Sequence, residues 1–343
     1  MKFNTPKPNQ LFYKAYFAIG LLRYPARLLN LFRYKLNKFN GQINYYPFMM
    51  DLEPTQRCNY RCLMCVPFKE KREDMTFNEF KKIVDQQFGL MEIKIQGVGE
   101  PLLNKDFFAM LEYARKKWLW VRTTINGSLL HINDNFRKIV DSRVRDINIS
   151  IDGSSKDVYE SIRVGGDFQR LKENCKLINS YNKKVKKTIV RAWVVLQKRN
   201  KHQFFEFPRF FSELGFKEIT YSFALHNYGR HEENKEAALF DFKESDFIEL
   251  LKICNELGVK ISFFFHPKFN KVNFCQIPFK RIYVSTDSHI LPCCYIANQE
   301  VIDFGSYSNF KEIWFKKYVN FRNSMKNVHN VPSYCQECYR SKE

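Results

Sequence analysis

The first 50 residues contain no aspartate or glutamate, yet they hold eight basic side chains: Lys2, Lys7, Lys14, Arg23, Arg27, Arg33, Lys35 and Lys38. A segment of one charge sign cannot be laced by internal salt bridges and suits an anionic neighbour instead. No apolar run reaches the roughly 18 residues of a bilayer-crossing helix, so none is expected. Pro6, Pro8 and nearby charges interrupt the first apolar stretch, which argues against a cleavable secretion signal. Low-complexity tracts and long linkers are absent too. With 45% of the 343 residues hydrophobic, a disordered or fibrous chain is ruled out. The 10 cysteines, read without a signal, imply a reducing cytoplasm, where clustered thiols mean metal more often than disulfide.

Lys and Arg total 56 against 36 Asp and Glu, a formal net charge of +20. The excess suits a phosphorylated ligand, nucleic acid or an acidic lipid surface, and alone it does not choose among them. In residues 1–46 the basic positions alternate with Leu11, Phe12, Phe17, Ile19, Leu22, Leu28, Leu31 and Phe32, the pattern of one or two basic amphipathic helices. Two readings follow: a peripheral anchor on anionic lipid through residues 1–40, on the inner membrane face, or a helical cap on the main domain.

From residue 48 short apolar runs alternate with helical patterns. The runs are 48–55, 91–98, 121–126, 146–152, 189–196 and 218–223; helical stretches include 77–88, 106–117, 168–181 and 202–214. Such alternation implies right-handed crossovers and a parallel sheet. Six units fall short of eight, so the expected fold is α/β, a partial (β/α)6 TIM-like barrel over 47–240 with its site at the C-terminal strand ends. After residue 225 the rhythm changes to a loop bearing His226, a helix at 244–257, a strand at 259–265, a hairpin at 281–291 and a helix at 310–325. These form a small cysteine-bearing domain, 241–343.

Directly after the first run stand Cys58, Cys62 and Cys65, spaced C-x3-C-x2-C. Three thiolates on one loop occupy three corners of a cubane cluster and leave the fourth iron open. A closed zinc site wants four ligands, and no nearby His or Cys completes it.

This loop, at the end of the first strand of a partial barrel, resembles the signature of radical S-adenosylmethionine (radical SAM) enzymes. The likeness continues in order. Gly97-Val98-Gly99-Glu100-Pro101 ends the second strand, where the family binds the methionine amino group. Asn126-Gly127 ends the third strand, and Ser150-Ile151-Asp152-Gly153 the fourth, where the family contacts the SAM carboxylate or ribose. Met64 fills the position whose backbone the family sets against adenine. Glycines at 97 and 99 let the backbone approach a ligand, and a carboxylate such as Glu100 accepts strongly from an ammonium.

The tail is similar to the SPASM/twitch extension of the same family: Cys275, Cys293-Cys294, Glu312-Ile313-Trp314, Phe321-Arg322 and Cys335-x-x-Cys338. Full SPASM patterns carry about seven cysteines for two clusters, and this tail has enough for one. The resemblance selects Cys275, Cys293, Cys335 and Cys338 as ligands of one fully ligated 4Fe-4S cluster, with Cys294 an adjacent alternative to Cys293. A four-cysteine zinc ribbon is the competing reading of the tail. The glycine usual in the hairpin turn is replaced here by Ser288-His289. Cys175 and Cys254 read as core residues.

The resemblance therefore implies two 4Fe-4S clusters, one SAM-binding and one auxiliary, with SAM as cofactor and a flavodoxin- or ferredoxin-like electron donor. A closed auxiliary cluster suits electron transfer, so the leading expectation is an oxidoreductase acting on a sugar, cyclitol or glycan-pathway intermediate. One alternative is a peptide maturase forming a crosslink or thioether, although the 50 residues before the barrel are short for a leader-binding domain. Another is a non-catalytic iron–sulfur or nucleic-acid binding protein, for which no RNA-binding motif is found, so no nucleic-acid partner is expected. Arg191 and Tyr221 are expected to point into the barrel as substrate residues. His226 and His266 are candidate proton acceptors, and Arg163-Val164-Gly165-Gly166 resembles a recurrent loop after the fourth strand.

Overall fold

All six expected strands form: β1 (Met49–Leu52), β2 (Glu92–Ile95), β3 (Trp120–Ile125), β4 (Asp146–Ser150), β5 (Ile189–Val195) and β6 (Glu218–Ser222). Three more complete the sheet, β7 (Lys260–Phe264), β8 (Arg281–Val284) and β9 (Ile290–Leu291). The computed structural model describes residues 10–37, 41–65, 73–223, 242–264 and 275–338. His226 and His266 lie outside them.

Packing divides the chain into two units. One gathers described residues within Cys58–Pro67 and Thr123–Asn270; the other gathers those within Lys7–Arg57, Phe68–Arg122 and Lys271–Glu343. Strand order is β7-β6-β5-β4-β3 in the first and β3-β2-β1-β8-β9 in the second, β3 lending residues to each. β4 through β7 pair in parallel. So do β8, β1, β2 and β3, while β8 and β9 form an antiparallel hairpin. The sheet is open, ending on β7 and β9, as a partial barrel requires.

In the first unit, strand alternation sorts the side chains by face. Asn148 pairs with Arg191 and Ser150 with Trp193; Arg191 in turn registers with Glu218 and Trp193 with Thr220. These residues share one polar face. The opposite face carries Ile147, Ile149, Ala192, Val194, Ile219 and Tyr221, all buried, under α5 (Asn135–Asp141), α6 (Lys156–Ile162), α7 (Phe168–Val185), α8 (Phe207–Glu213) and α9 (Glu244–Glu256). Each α-helix following a strand covers apolar positions, which is what drives the crossover.

The second unit repeats the logic. Met50, Leu52, Ile93, Ile95, Ile282 and Val284 are buried on one face, against α3 (Phe77–Asp85) and α4 (Phe107–Lys116). The other face holds a charge network. Arg281 Nη1 reaches Asp51 Oδ1 at 3.0 Å and its Nη2 reaches Glu92 at 3.6 Å, while Arg122 Nη1 lies 3.3 Å from Glu92. α3 opens on a capping box between Thr76 and Glu79, worth about 1 kcal/mol. The N-terminal segment forms α1 (Gln10–Arg23) and α2 (Pro25–Leu36).

Candidate functional site

In the first unit the loop Cys58–Cys65 carries three half-buried thiols. Its backbone is held by the turn after α6. Arg61 N–H donates to Val164 O at 2.8 Å and Leu63 N–H to Ile162 O at 3.1 Å. Gly165 stands at φ 87° with Asn59 O 3.3 Å from its missing Cβ, a left-handed conformation that glycine alone adopts cheaply. Asn126 Nδ2 donates to Asn59 Oδ1 at 2.9 Å, and Asn59 Nδ2 to Ser128 Oγ at 2.9 Å, tying the loop to the end of β3. Ser150 is buried at the end of β4 and Met64 is half-buried.

Asp152 is fully buried, and both its oxygens are engaged within the protein. Oδ1 accepts from Val195 N–H at 2.7 Å, and Oδ2 from Arg163 Nε at 2.6 Å. Arg163 Nη1 lies 3.6 Å from Cys62 Sγ. Burial opposes the Arg163 charge, but Asp152 and then the Cys62 sulfur outweigh it and raise the guanidinium pKa. The sequence grouped Asp152 with the SAM contacts; in the structure its carboxylate accepts from Arg163 and from the Val195 backbone.

In the second unit the Gly97-Val98-Gly99-Glu100 turn closes on the end of β1. A Cβ on Gly99 would overlap the carbonyl oxygens of Thr55 and Arg57, and one on Gly97 would overlap the Glu53 side chain. Glu100 N–H donates to Arg57 O at 2.8 Å, fixing the turn to the residue before Cys58. The Glu100 carboxylate is buried and accepts from Leu102 N–H at 3.2 Å. Glu53, which no motif marked, is fully buried beside this turn; Oε1 accepts from Val98 N–H at 2.8 Å. Burial raises its pKa, against the hydrogen bonds donated by the Val98 and Thr286 backbone. A strand-end acid flanked by Pro54 is an ordinary sequence, and only its burial distinguishes it.

The tail separates two neighbouring thiols. Cys293 is buried, and after burial itself the charges of Cys294, Cys338 and Cys275 act to raise its pKa; Cys335 is raised likewise by burial, Cys275 and Cys338. Cys294 is pushed up to about 11 by burial and by Asp51, to which it hydrogen-bonds. Cys293 and Cys335 thus each feel the charges of Cys275 and Cys338, while Cys294, also a neighbour of Cys293, hydrogen-bonds Asp51 on the charged face of the sheet. Burial alone keeps such thiols protonated, and a bound cation inverts that preference. Among the described residues no three His, Cys, Asp or Glu side chains converge on one metal ion. The donor chemistry of both cysteine sets fits iron–sulfur clusters. The hairpin forms without its glycine because Ser288 takes φ 59° and donates its N–H to Ser285 O at 2.9 Å.

Two expected substrate residues fall away. Arg191 does lie on the polar face, but its Nη1 pairs with Asp146 at 2.6 Å and its Nε with Glu218 at 2.6 Å, near the N-terminal strand ends. Tyr221 sits on the opposite face, and its hydroxyl donates to Phe204 O at 2.9 Å. Alternation along β6 puts it under the helices. Cys175 and Cys254 are buried core residues, as expected.

Comparison with known proteins places these features. Residues 52–211 match the model of the Radical SAM superfamily, and residues 275–339 match that of an iron–sulfur cluster-binding domain, SPASM. The GTP 3',8-cyclase of Campylobacter jejuni subsp. doylei is 31% identical over 152 residues, 38% of this chain and 45% of that one. The chain spans less than half the length of the curated relatives it matches. Streptococcus suis SuiB bound to S-adenosylmethionine superposes with a TM-score of 0.66 at 15% identity, covering 84% of this chain and 71% of that one. BtrN in complex with AdoMet and 2-DOIA gives 0.51 at 16% identity, covering 84% and 90%. At these identities the likeness is one of fold.

Proposed function

This chain belongs to the radical SAM superfamily and carries a SPASM domain, and from that premise we propose that it is an oxidoreductase acting on a small polar molecule such as a sugar or cyclitol. SAM and 4Fe-4S clusters are the cofactors these domains use. Bound, they supply hydrogen-atom abstraction at the first cluster and a one-electron acceptor at the second. Cys58, Cys62 and Cys65 would hold the first cluster, with Arg163 Nη1 3.6 Å from the Cys62 sulfur. Gly97 and Gly99 bring backbone close to the methionine end of SAM, which Glu100 would meet. Asn126, Ser150 and the Asp152–Arg163 pair would orient the remainder, and the Met64 backbone would face the adenine. The barrel is assigned to 47–240 and the extension to 241–343.

The reading is supported by the tail: Cys293 and Cys335 each feel the charges of Cys275 and Cys338, and with Cys294 hydrogen-bonded to Asp51 these four would make one closed set. A fully ligated cluster offers no iron to substrate, which leaves electron acceptance as its work. Net, a carbinol loses one hydrogen atom from carbon, then one electron and one proton, and becomes a carbonyl. An external flavodoxin- or ferredoxin-like donor would restore the first electron.

The test incubates anaerobically reconstituted protein with SAM and dithionite against pooled sugars and cyclitols, and separately against pooled peptides. Oxidised small molecule appearing in step with 5'-deoxyadenosine is the expected result. Turnover of peptides alone would transfer the protein to the maturases, whose fold neighbour SuiB has also been crystallised with the precursor peptide SuiA.

A further inference from the structure

Helices α1 and α2 are docked through an unusual face. Arg27 and Asn30, polar residues, are buried: Arg27 Nη2 donates to Lys117 O at 2.6 Å and Asn30 Nδ2 to Tyr46 O at 3.0 Å. Tyr16 donates to Leu119 O at 3.0 Å, and Tyr13 and Phe17 pack against Trp120. The solvent side carries what a capping helix would hide. Leu22 is 82% exposed, Leu36 68%, Phe32 57%, Leu28 56%, Leu29 49% and Ile19 41%. Six of the twelve large apolar side chains exposed among the described residues therefore lie on these two short helices.

A monomer rarely leaves so concentrated an apolar ridge in water without a partner for it. The surroundings select the partner. Lys14, Arg23 and Lys35 are exposed on the same two helices, and residues 1–50 contain no acid. Apolar side chains outward with cations alongside and no anion is the surface of a helix lying in the headgroup layer. A second copy of this chain would set like charges against one another, which is unfavourable. Neither helix is long and apolar enough to cross a membrane.

We propose that α1 and α2 form a monotopic docking surface for an anionic bilayer, inserting Leu22, Phe32 and Leu36 while Lys14, Arg23 and Lys35 meet lipid phosphates. The docked polar face orients the enzyme rigidly on the surface. This stands independently of the substrate reading.

Flotation of the full chain with phosphatidylcholine vesicles, with and without phosphatidylglycerol, tests it. Binding is expected to the anionic vesicles at low salt and to weaken near 1 M salt, where screening acts within about 3 Å. Leu22→Ser/Phe32→Ser is expected to lower apparent affinity by at least about tenfold, with its melting temperature kept because both side chains face solvent. Lys14→Gln/Lys35→Gln is expected to flatten the salt dependence. No binding of the intact protein to anionic vesicles at low salt overturns the proposal. So does equal binding by Leu22→Ser/Phe32→Ser. A dimer seen by light scattering that the same substitutions dissociate would give the ridge to a second copy instead.

Discussion

The two cysteine sets are built on opposite principles. The loop Cys58–Cys65 keeps its thiols half-buried, with the Arg163 guanidinium 3.6 Å from the Cys62 sulfur. The tail set buries Cys293 so that its own burial and its thiol neighbours all oppose ionisation. On the proposed reading the set of three would hold a cluster that also binds a ligand, and the set of four would close a second one. The difference teaches how ligand number would divide the labour between the sets.

The sharpest break of this comparison is removal of one set. Changing Cys58, Cys62 and Cys65 together to Ala is expected to abolish 5'-deoxyadenosine formation while leaving the tail's iron; chromatographic quantitation of the nucleoside checks it. Next in size is Arg163→Ala, which strands the Asp152 carboxylate in a buried site. Breaking such a pair costs about 3–5 kcal/mol, read as a lowered denaturation midpoint, and Arg163→Ala/Asp152→Asn is expected to recover part of it. Gly99→Ala drives a methyl into two backbone carbonyls that cannot turn aside. SAM binding, followed by calorimetry, is expected to weaken at least about tenfold, or 1.4 kcal/mol.

The smallest effect concerns Glu53. Its folded pKa is raised by burial, so between the unfolded value of about 4.3 and the folded one the native state holds the extra proton. Stability therefore falls as pH rises through that window and levels off above it. Glu53→Gln, which keeps an acceptor for Val98 N–H, is expected to remove that slope in denaturant titrations at several pH values.

Much of this was legible before the fold was seen. Apolar runs alternating with helical stretches placed β1 to β6 and their helices, and the four motifs fell at strand ends in order. The partner of β8 was not legible: periodicity names a strand but not its neighbour, and β8 joins β1 in parallel across more than 200 residues of chain. Cys293 and Cys294 could not be told apart because adjacent residues share every sequence feature; the hydrogen bond of Cys294 to Asp51 supports Cys293 as the proposed ligand. Arg191 and Tyr221 were misjudged for different reasons. Arg191 has the right face but spends its charge on Asp146 and Glu218, while Tyr221 lies one residue out of phase with that face. Amphipathicity predicted α1 and α2, yet the docked face proved to be the one holding Arg27 and Asn30, a choice made by the Lys117 and Trp118 carbonyls that Arg27 satisfies.

The most direct measurement of the division between the sets is the iron content of three anaerobically reconstituted proteins, read with Mössbauer spectra. The unaltered chain is predicted to hold about eight irons, the Cys58/Cys62/Cys65→Ala form about four, and Cys335→Ala about four with SAM cleavage retained. Cys294→Ala is predicted to keep all eight. Four irons in the unaltered chain, tail zinc persisting in ample iron and sulfide, or loss of the second cluster in Cys294→Ala would contradict the account.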